Sequence, residues 1–151
     1  MTINAMPQPA VTLFLPLSDD VINGAKLIEQ ATNWQEKYRQ IMLLGKKLPN
    51  LADEFRHQDA QVKGCESQAW LYHQQIDGQH FYLADSDARI VKGLIGLLLA
   101  ATQGRTRSEI AQFDVVAYFE NLGLNGQLSP SRTNGLHALS QAIKSYATKT
   151  N

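Results

Sequence analysis

The side chain in this sequence that could take part in the widest range of reactions is that of Cys65. It is the only cysteine, and it directly follows Gly64. One thiol makes neither an internal disulfide nor a multi-cysteine site for zinc or an iron–sulfur cluster. It can still act as a nucleophile, carry one sulfur atom, or be an inert packed side chain. Glycine allows a sharp backbone turn at this point, which would leave the sulfur accessible. The flanking Lys63 and Glu66 carry opposite charges, so the sequence alone does not decide the thiol's reactivity.

A cysteine hydrolase would need a histidine base beside the thiol. The chain has four histidines, and none lies in a motif known to serve a cysteine nucleophile: His57, His73, His80 and His137. Their spacing also matches no metal-ligand pattern. Both a cysteine hydrolase and a cysteine–histidine metal site are therefore disfavoured.

Arg132 is the second candidate functional residue. It lies in Ser129-Pro130-Ser131-Arg132, where a capping serine followed by proline predicts the start of a helix. A cation in the first turn opposes the helix dipole, so Arg132 predicts an anionic partner. A positively charged helix start would also stabilise a thiolate or a persulfide.

Composition limits the classes of function. Lysine plus arginine and aspartate plus glutamate each total 14, so the formal net charge is zero and nothing favours nucleic-acid binding. The strongest apolar run, residues 93–101, is too short to cross a bilayer, so no membrane association is expected. A single free cysteine and the lack of a leader pattern predict a cytoplasmic protein. With 151 residues, we expect a flexible N-terminal arm over 1–17 and a single domain over 18–151.

Local patterns predict helices on both sides of a small antiparallel sheet. Ser18 caps a first helix, and Thr32 to Gln35 fits a capping box for a second. Asp77-Gly78 separates two strands of a hairpin, 69–76 and 79–84. A third strand is expected around Val62, since a lone hairpin is marginal in water. The fold class is therefore α+β, with about three strands and helices packed against them.

The second half of the chain adds helices with clear start signals. Asp87 is the expected N-cap of an apolar helix over 89–102, and Asp85 is explained by turn chemistry. Gly93 and Gly96 within this helix predict close packing against the sheet. Later helices begin after three capping residues, which are Thr106, Asp114 and Ser129.

Taken in order, these segments resemble the SufE family of sulfur-acceptor proteins, over roughly residues 32 to 146. Ala69 stands where the family usually has valine. Some segments are closer to the CsdE-like branch, including Gly64-Cys65-Glu66, whereas Asp85-Ser-Asp-Ala is closer to SufE proper; taken together, the resemblance leans towards the CsdE-like branch. The resemblance is carried by the motifs Trp34-Gln-Glu-Lys-Tyr-Arg-Gln, Leu44-Gly-Lys-Lys-Leu-Pro49, Val62-Lys-Gly-Cys-Glu-Ser-Gln-Ala-Trp70, Asp85-Ser-Asp-Ala-Arg-Ile-Val-Lys-Gly-Leu94 and Leu128-Ser-Pro-Ser-Arg-Thr-Asn-Gly-Leu136.

The resemblance implies an IscU-like α+β fold and a role for Cys65 as persulfide acceptor. The sulfur would come from a pyridoxal-phosphate-dependent cysteine desulfurase of the SufS or CsdA type, which the protein would stimulate. The cofactor would belong to that partner, and no cofactor or metal is expected on this chain. Arg132 would support the transfer, and Gly64, Glu66 and Arg132 would contact the partner. An apolar pocket built by neighbours such as Trp70 would shield the sulfur.

The resemblance implies no independent enzymatic turnover. Sulfur would pass to a SufBCD-like iron–sulfur assembly scaffold or to a tRNA-modification protein, with the carrier a monomer or a homodimer. Two alternatives stay open at this point. One is an interaction domain with an incidental cysteine. The other is a protein related to iron–sulfur scaffolds, although those use several cysteines.

Overall fold

The computed structural model describes residues 8–14, 17–64 and 67–149. Over these ranges six α-helices accompany a three-stranded antiparallel sheet, which confirms the α+β prediction. The helices are α1 Asp19–Gln30, α2 Trp34–Lys47, α3 Arg89–Thr102, α4 Arg107–Gln112, α5 Val115–Asn121 and α6 Pro130–Lys149. The strands are β1 Ala69–Ile76, β2 Gln79–Ser86 and β3 Arg105–Thr106, and short 3₁₀ turns span Val11–Phe14, Asp53–Phe55 and Gln58–Ala60.

Most predicted helix starts are confirmed by side-chain caps. Ser18 accepts a hydrogen bond from the Val21 amide, and Thr106 forms a reciprocal capping box with Glu109. The box predicted at Thr32 is wrong, because Asn33 is the cap of α2 and accepts from the Glu36 amide at 2.8 Å. Asparagine is as good a cap as threonine, so the pattern alone did not separate the two positions.

The hairpin is confirmed, with β1 and β2 in register from Ala69 opposite Ser86 to Ile76 opposite Gln79. Asp77 and Gly78 both have positive φ, 53° and 78°, as a tight two-residue hairpin turn requires. The third strand predicted around Val62 is wrong, since that segment makes only one bridge to β1, from Gln61 to Trp70. The third strand is β3, which pairs with β2 at the other edge. Its two residues are too few to show alternation in the sequence.

The sheet buries side chains on both faces. Alternation along the strands directs Leu71, Tyr82 and Ala84 into the main core. The opposite face carries a second apolar cluster, formed by Phe14, Leu51, Ala60, Trp70, Tyr72, Phe81 and Leu83. We refer to these as the inner and outer faces.

Phe14 packs on the outer face, although it falls within the predicted arm. Its side chain is fully buried, and the Gln103 side chain donates to its carbonyl oxygen at 3.2 Å. Residues 1–7 and 15–16 lie outside the described residues. The division into an arm and a domain stays a prediction. Within residues 8–14, however, Phe14 packs against the apolar side chains of the outer face and shields them from water.

Helices α2 and α3 approach closely at glycines. A methyl group on Gly93 would stand 2.1 Å from the Ile41 carbonyl oxygen, and one on Gly96 would stand 2.9 Å from Leu44 Cγ. Close packing at these glycines is therefore confirmed, but the prediction that they pack against the sheet is wrong. They face another helix, and only residues without a side chain allow this separation.

None of the helices in the described part of the chain is both long and apolar enough to cross a membrane.

A pair of histidines lies on the inner face, at the end of the hairpin. His73 Nε2 and His80 Nδ1 are 2.7 Å apart, so they form a hydrogen bond in which the tautomers decide which nitrogen donates. His80 is completely buried, and the ring of His73 stacks on Tyr146 at 5.5 Å. Burial, with the neighbouring His80 as a smaller cause, lowers the pKa of His73 to about 4. Burial also lowers the pKa of His80.

This pair predicts a loss of stability in mild acid. The unfolded chain takes up protons at histidine below a pH of about 6.5, whereas burial lowers the pKa of His73 in the folded protein to about 4 and lowers that of His80 as well. Stability should therefore fall as the pH decreases through this window, by about 1 to 2 kcal/mol after allowance for solvent screening. Urea unfolding at several pH values checks this. His73→Phe should flatten the dependence, whereas His137→Gln, at an exposed histidine, should not; equal slopes in all three proteins would contradict the prediction.

Candidate functional site

The loop that carries Cys65 is closed at its base by β-type contacts. The Val62 amide donates to the Ala69 carbonyl oxygen at 2.8 Å, and Gln61 bridges Trp70. Cys65 and Glu66 lie outside the described residues, so their predicted roles stay predictions. The chain on both sides of them is described, and it fixes where the loop leaves and rejoins the fold.

The returning side of the loop is held by the end of β2. The Gln68 carbonyl oxygen accepts hydrogen bonds from the Ser86 hydroxyl at 2.7 Å and from the Asp87 amide at 3.1 Å. Asp87 therefore contributes its backbone here. Its predicted role as the N-cap of α3 is wrong, because Ala88 occupies that position and no side chain caps the helix.

Gly64 has the backbone conformation that the sequence suggested. Its φ is +94°, in the region that strongly favours glycine. A methyl group at this position would lie 3.2 Å from the Ala138 Cβ on α6. The loop therefore turns sharply just before Cys65, and it does so against the first half of α6.

A cleft of about 380 Å³ lies between the loop, α3 and α6. One wall is polar, with Ser67 from the loop and the start of α6, and the other is apolar. The lining residues are Ser67, Val91, Leu94, Ser129, Ser131, Arg132, Gly135, Leu136 and Leu139. The fold thus brings Arg132 into the same cleft as Ser67, although 65 positions separate them in the sequence.

Arg132 lies in the first turn of α6, as predicted. Its backbone amide donates to Ser129 Oγ at 3.3 Å, which confirms the predicted cap. Within the described ranges, no carboxylate forms an ion pair with its side chain. The cleft therefore combines the positive end of a helix dipole with a cation that no described carboxylate neutralises, which favours an anion there.

Trp70 does not line this cleft. It is 5% exposed and belongs to the outer cluster, with the Arg56 guanidinium carbon 5.1 Å from its ring centroid. The apolar wall of the cleft comes from α3 and α6. Because Cys65 lies outside the described residues, the expectation that Trp70 shields its sulfur stays a prediction. A separate polar groove of about 800 Å³ lies beside the loop base, lined by Arg56, Gln58, Asp59, Gln61, Lys63, Gln68 and Trp70.

Asp85 is the residue whose importance sequence reasoning missed. Its fully buried carboxylate accepts from the Leu51 amide at 2.9 Å and the Ser86 amide at 2.8 Å. Arg56 and Lys92 pair with it at 3.2 and 3.3 Å. Turn chemistry accounts only for the adjacent Ser86 contact. The other partners are distant in sequence, and no spacing rule identifies them.

The described residues contain no group of three or more metal-ligating side chains that could hold a metal ion.

Comparisons with known proteins agree with the motif pattern. A family model described as "SufE: Fe-S metabolism associated domain" matches residues 23–147. The chain is 46% identical over 113 residues to the sulfur acceptor protein CsdE of Escherichia coli (strain K12), across 74% of this chain and 77% of that protein. Both findings confirm the resemblance drawn from the motifs. The fold is shared with the solution structure of a hypothetical protein from Thermus thermophilus, with a TM-score of 0.67 and 15% identity, covering 89% of this chain and 97% of that one.

The geometry at Gly64 predicts that Gly64→Ala destabilises the protein by about 1 to 2 kcal/mol, the usual cost of a left-handed conformation for alanine. Gly78→Ala is the matched control, since its φ is also positive and nothing lies within 4 Å of an added methyl group. We expect Gly64→Ala to lower the free energy of unfolding, measured in urea, by more than Gly78→Ala does, because its added methyl group would contact Ala138. In an Ala138→Gly background this excess should disappear from the cost of Gly64→Ala, where each background is compared with its own parent because glycine within α6 itself lowers stability by about 1 kcal/mol. A Gly64→Ala protein as stable as the parent would contradict the close contact.

Proposed function

We propose, because this chain belongs to the SufE family, that it accepts one sulfur atom onto Cys65 from a cysteine desulfurase. The observation that carries the proposal is the anchored loop with the only cysteine, closed beside a cleft that holds Arg132. A relative that is 46% identical is a sulfur acceptor protein, which supports the same role here.

The proposed reaction is a thiol–persulfide exchange. The Cys65 thiolate attacks the terminal sulfur of a persulfide on the desulfurase. A bond forms between the Cys65 sulfur and that terminal sulfur, while the bond between the terminal sulfur and the enzyme's cysteine sulfur breaks. The enzyme cysteine leaves as a thiolate. Electrons balance without an oxidant or reductant, so the exchange needs no cofactor on this chain. Pyridoxal phosphate would act in the desulfurase, where the sulfur is released from L-cysteine.

The cleft suits this chemistry electrostatically. Both the attacking thiolate and the persulfide product carry negative charge, which the start of α6 and Arg132 would stabilise. The apolar wall from Val91, Leu94 and Leu136 would limit access by small thiols. A single cysteine also suits a carrier, since a second nearby thiol could resolve the persulfide into a disulfide.

The carrier would have no turnover of its own and would stimulate the desulfurase by removing its sulfur. The family description concerns Fe–S metabolism, which favours an iron–sulfur assembly complex as the next acceptor over a tRNA-modification protein. We place this exchange in the cytoplasm, where thiols stay reduced. Contacts to the desulfurase would come from Gly64, Glu66 and Arg132.

The first experiment is intact mass measurement after incubation with a cysteine desulfurase and L-cysteine, without reductant. We expect a gain of one sulfur mass that dithiothreitol removes and that Cys65→Ser abolishes. Cys65→Ser differs by one atom, so it is a close structural control. The absence of any adduct with desulfurases of both the SufS and the CsdA type would favour the alternative, an interaction domain with an incidental cysteine.

Arg132→Glu should slow sulfur transfer about tenfold, which corresponds to about 1.4 kcal/mol of lost transition-state stabilisation. The substitution places a negative charge in the first turn of α6, which suits the helix dipole, so unfolding would not explain a loss. Lys149→Glu makes the same charge change at the other end of α6 and should leave transfer unchanged. Equal transfer by Arg132→Glu and the parent protein would remove Arg132 from the site.

A further inference from the structure

We propose that Asp85 and Arg56 act as positioning residues for the loop that carries Cys65. This inference rests on the proposed function and adds a buried ion cluster to it. The cluster consists of the Asp85 carboxylate, the Arg56 guanidinium and the Lys92 ammonium group. None of these three residues lines the cleft with Arg132.

The buried charge of Asp85 is costly unless it is compensated. The Asp85 side chain has no solvent exposure, so its carboxylate needs hydrogen bonds and cations around it. It receives two backbone amides and two cations, each at 2.8 to 3.3 Å. A buried ion cluster of this kind often adds little net stability relative to apolar residues. What it supplies is a fixed geometry, since each partner must occupy one place.

Asp85 is connected to the returning side of the loop through its neighbours in the chain. Asp85 Oδ1 accepts from the Ser86 amide, and the Ser86 hydroxyl donates to the Gln68 carbonyl oxygen. The Asp87 amide donates to the same oxygen. The carboxylate thus orders the short segment whose two donors hold Gln68, three positions after Cys65.

Arg56 is connected to the departing side of the loop. It pairs with Asp85 and also lies over the ring of Trp70, which is directly opposite Asp85 in the sheet register. Trp70 bridges Gln61, and the adjacent Ala69 carbonyl oxygen accepts from Val62. One ion pair therefore contacts the strands that anchor both ends of the loop.

The test uses Asp85→Asn and Arg56→Gln in the full chain. Asp85→Asn keeps the shape and removes the charge. Arg56 is partly exposed, with 35% of its side chain accessible, so its variant should fold even if Asp85→Asn does not. Tyr82→Phe is the control, because it removes one buried hydrogen bond, to the Ile143 carbonyl oxygen, at a residue that pairs with His73 and not with the loop-base residues Ala69 and Trp70. All proteins are compared at a temperature where circular dichroism shows them folded.

The first readout is the rate of sulfur transfer as a function of desulfurase concentration. We expect the limiting rate to fall about tenfold in both variants, since small misplacements of a reacting group have large effects on rate. The half-saturating concentration should stay unchanged. Arg56→Lys, which keeps the charge, should recover part of the rate. A change in the half-saturating concentration alone would make Arg56 a docking residue and overturn the proposal.

The second readout needs no desulfurase. Hydrogen exchange at the Val62 and Asp87 amides, which donate across the loop base, should become about tenfold faster in both variants. It should not change in Tyr82→Phe. Unchanged exchange in Asp85→Asn and Arg56→Gln would overturn the positioning role. A parent protein that accepts no sulfur would refute the proposed function, and the exchange result would still decide the role of the ion pair.

Discussion

The close approach of α2 and α3 is the constraint on which the rest of the structure depends. The Gly93 backbone lies so near the Ile41 carbonyl oxygen that no other residue fits without movement. This contact sets the position of α3, whose Val91 and Leu94 form a wall of the cleft. Because α3 follows β2 directly, it also sets where the strand ends. The loop, the sheet and α6 therefore meet at one place.

The candidate site combines three elements that have different physical roles. The ends of β1 and β2 hold the loop through backbone hydrogen bonds around Val62 and Gln68. The start of α6 contributes Arg132 and the positive end of the helix dipole. Apolar residues from α3 and α6 reduce access to water. A transferable sulfur needs all three, because it must be presented, stabilised as an anion and shielded.

Several buried polar groups link parts of the chain that are distant in sequence. The Lys37 ammonium group donates to the Ile28 carbonyl oxygen at 2.8 Å and so satisfies the end of α1. Asp85 joins the segment after α2 to β2 and α3. Tyr82 ties the inner face of the sheet to α6 through the Ile143 carbonyl oxygen. Such contacts make the packing specific, since each buried group needs its partner.

The sequence by itself determined the features that depend on neighbouring residues. Capping patterns located the starts of most helices, Asp77-Gly78 located the hairpin, and ordered motifs identified the family. Tertiary structure alone decided the pairing of β3, the helix that Gly93 faces and the partners of Asp85. These depend on which distant segments come together, and a short edge strand or a buried carboxylate leaves no periodic signal. The physical reason is that capping and turns act within a few residues, whereas packing and charge compensation act through space.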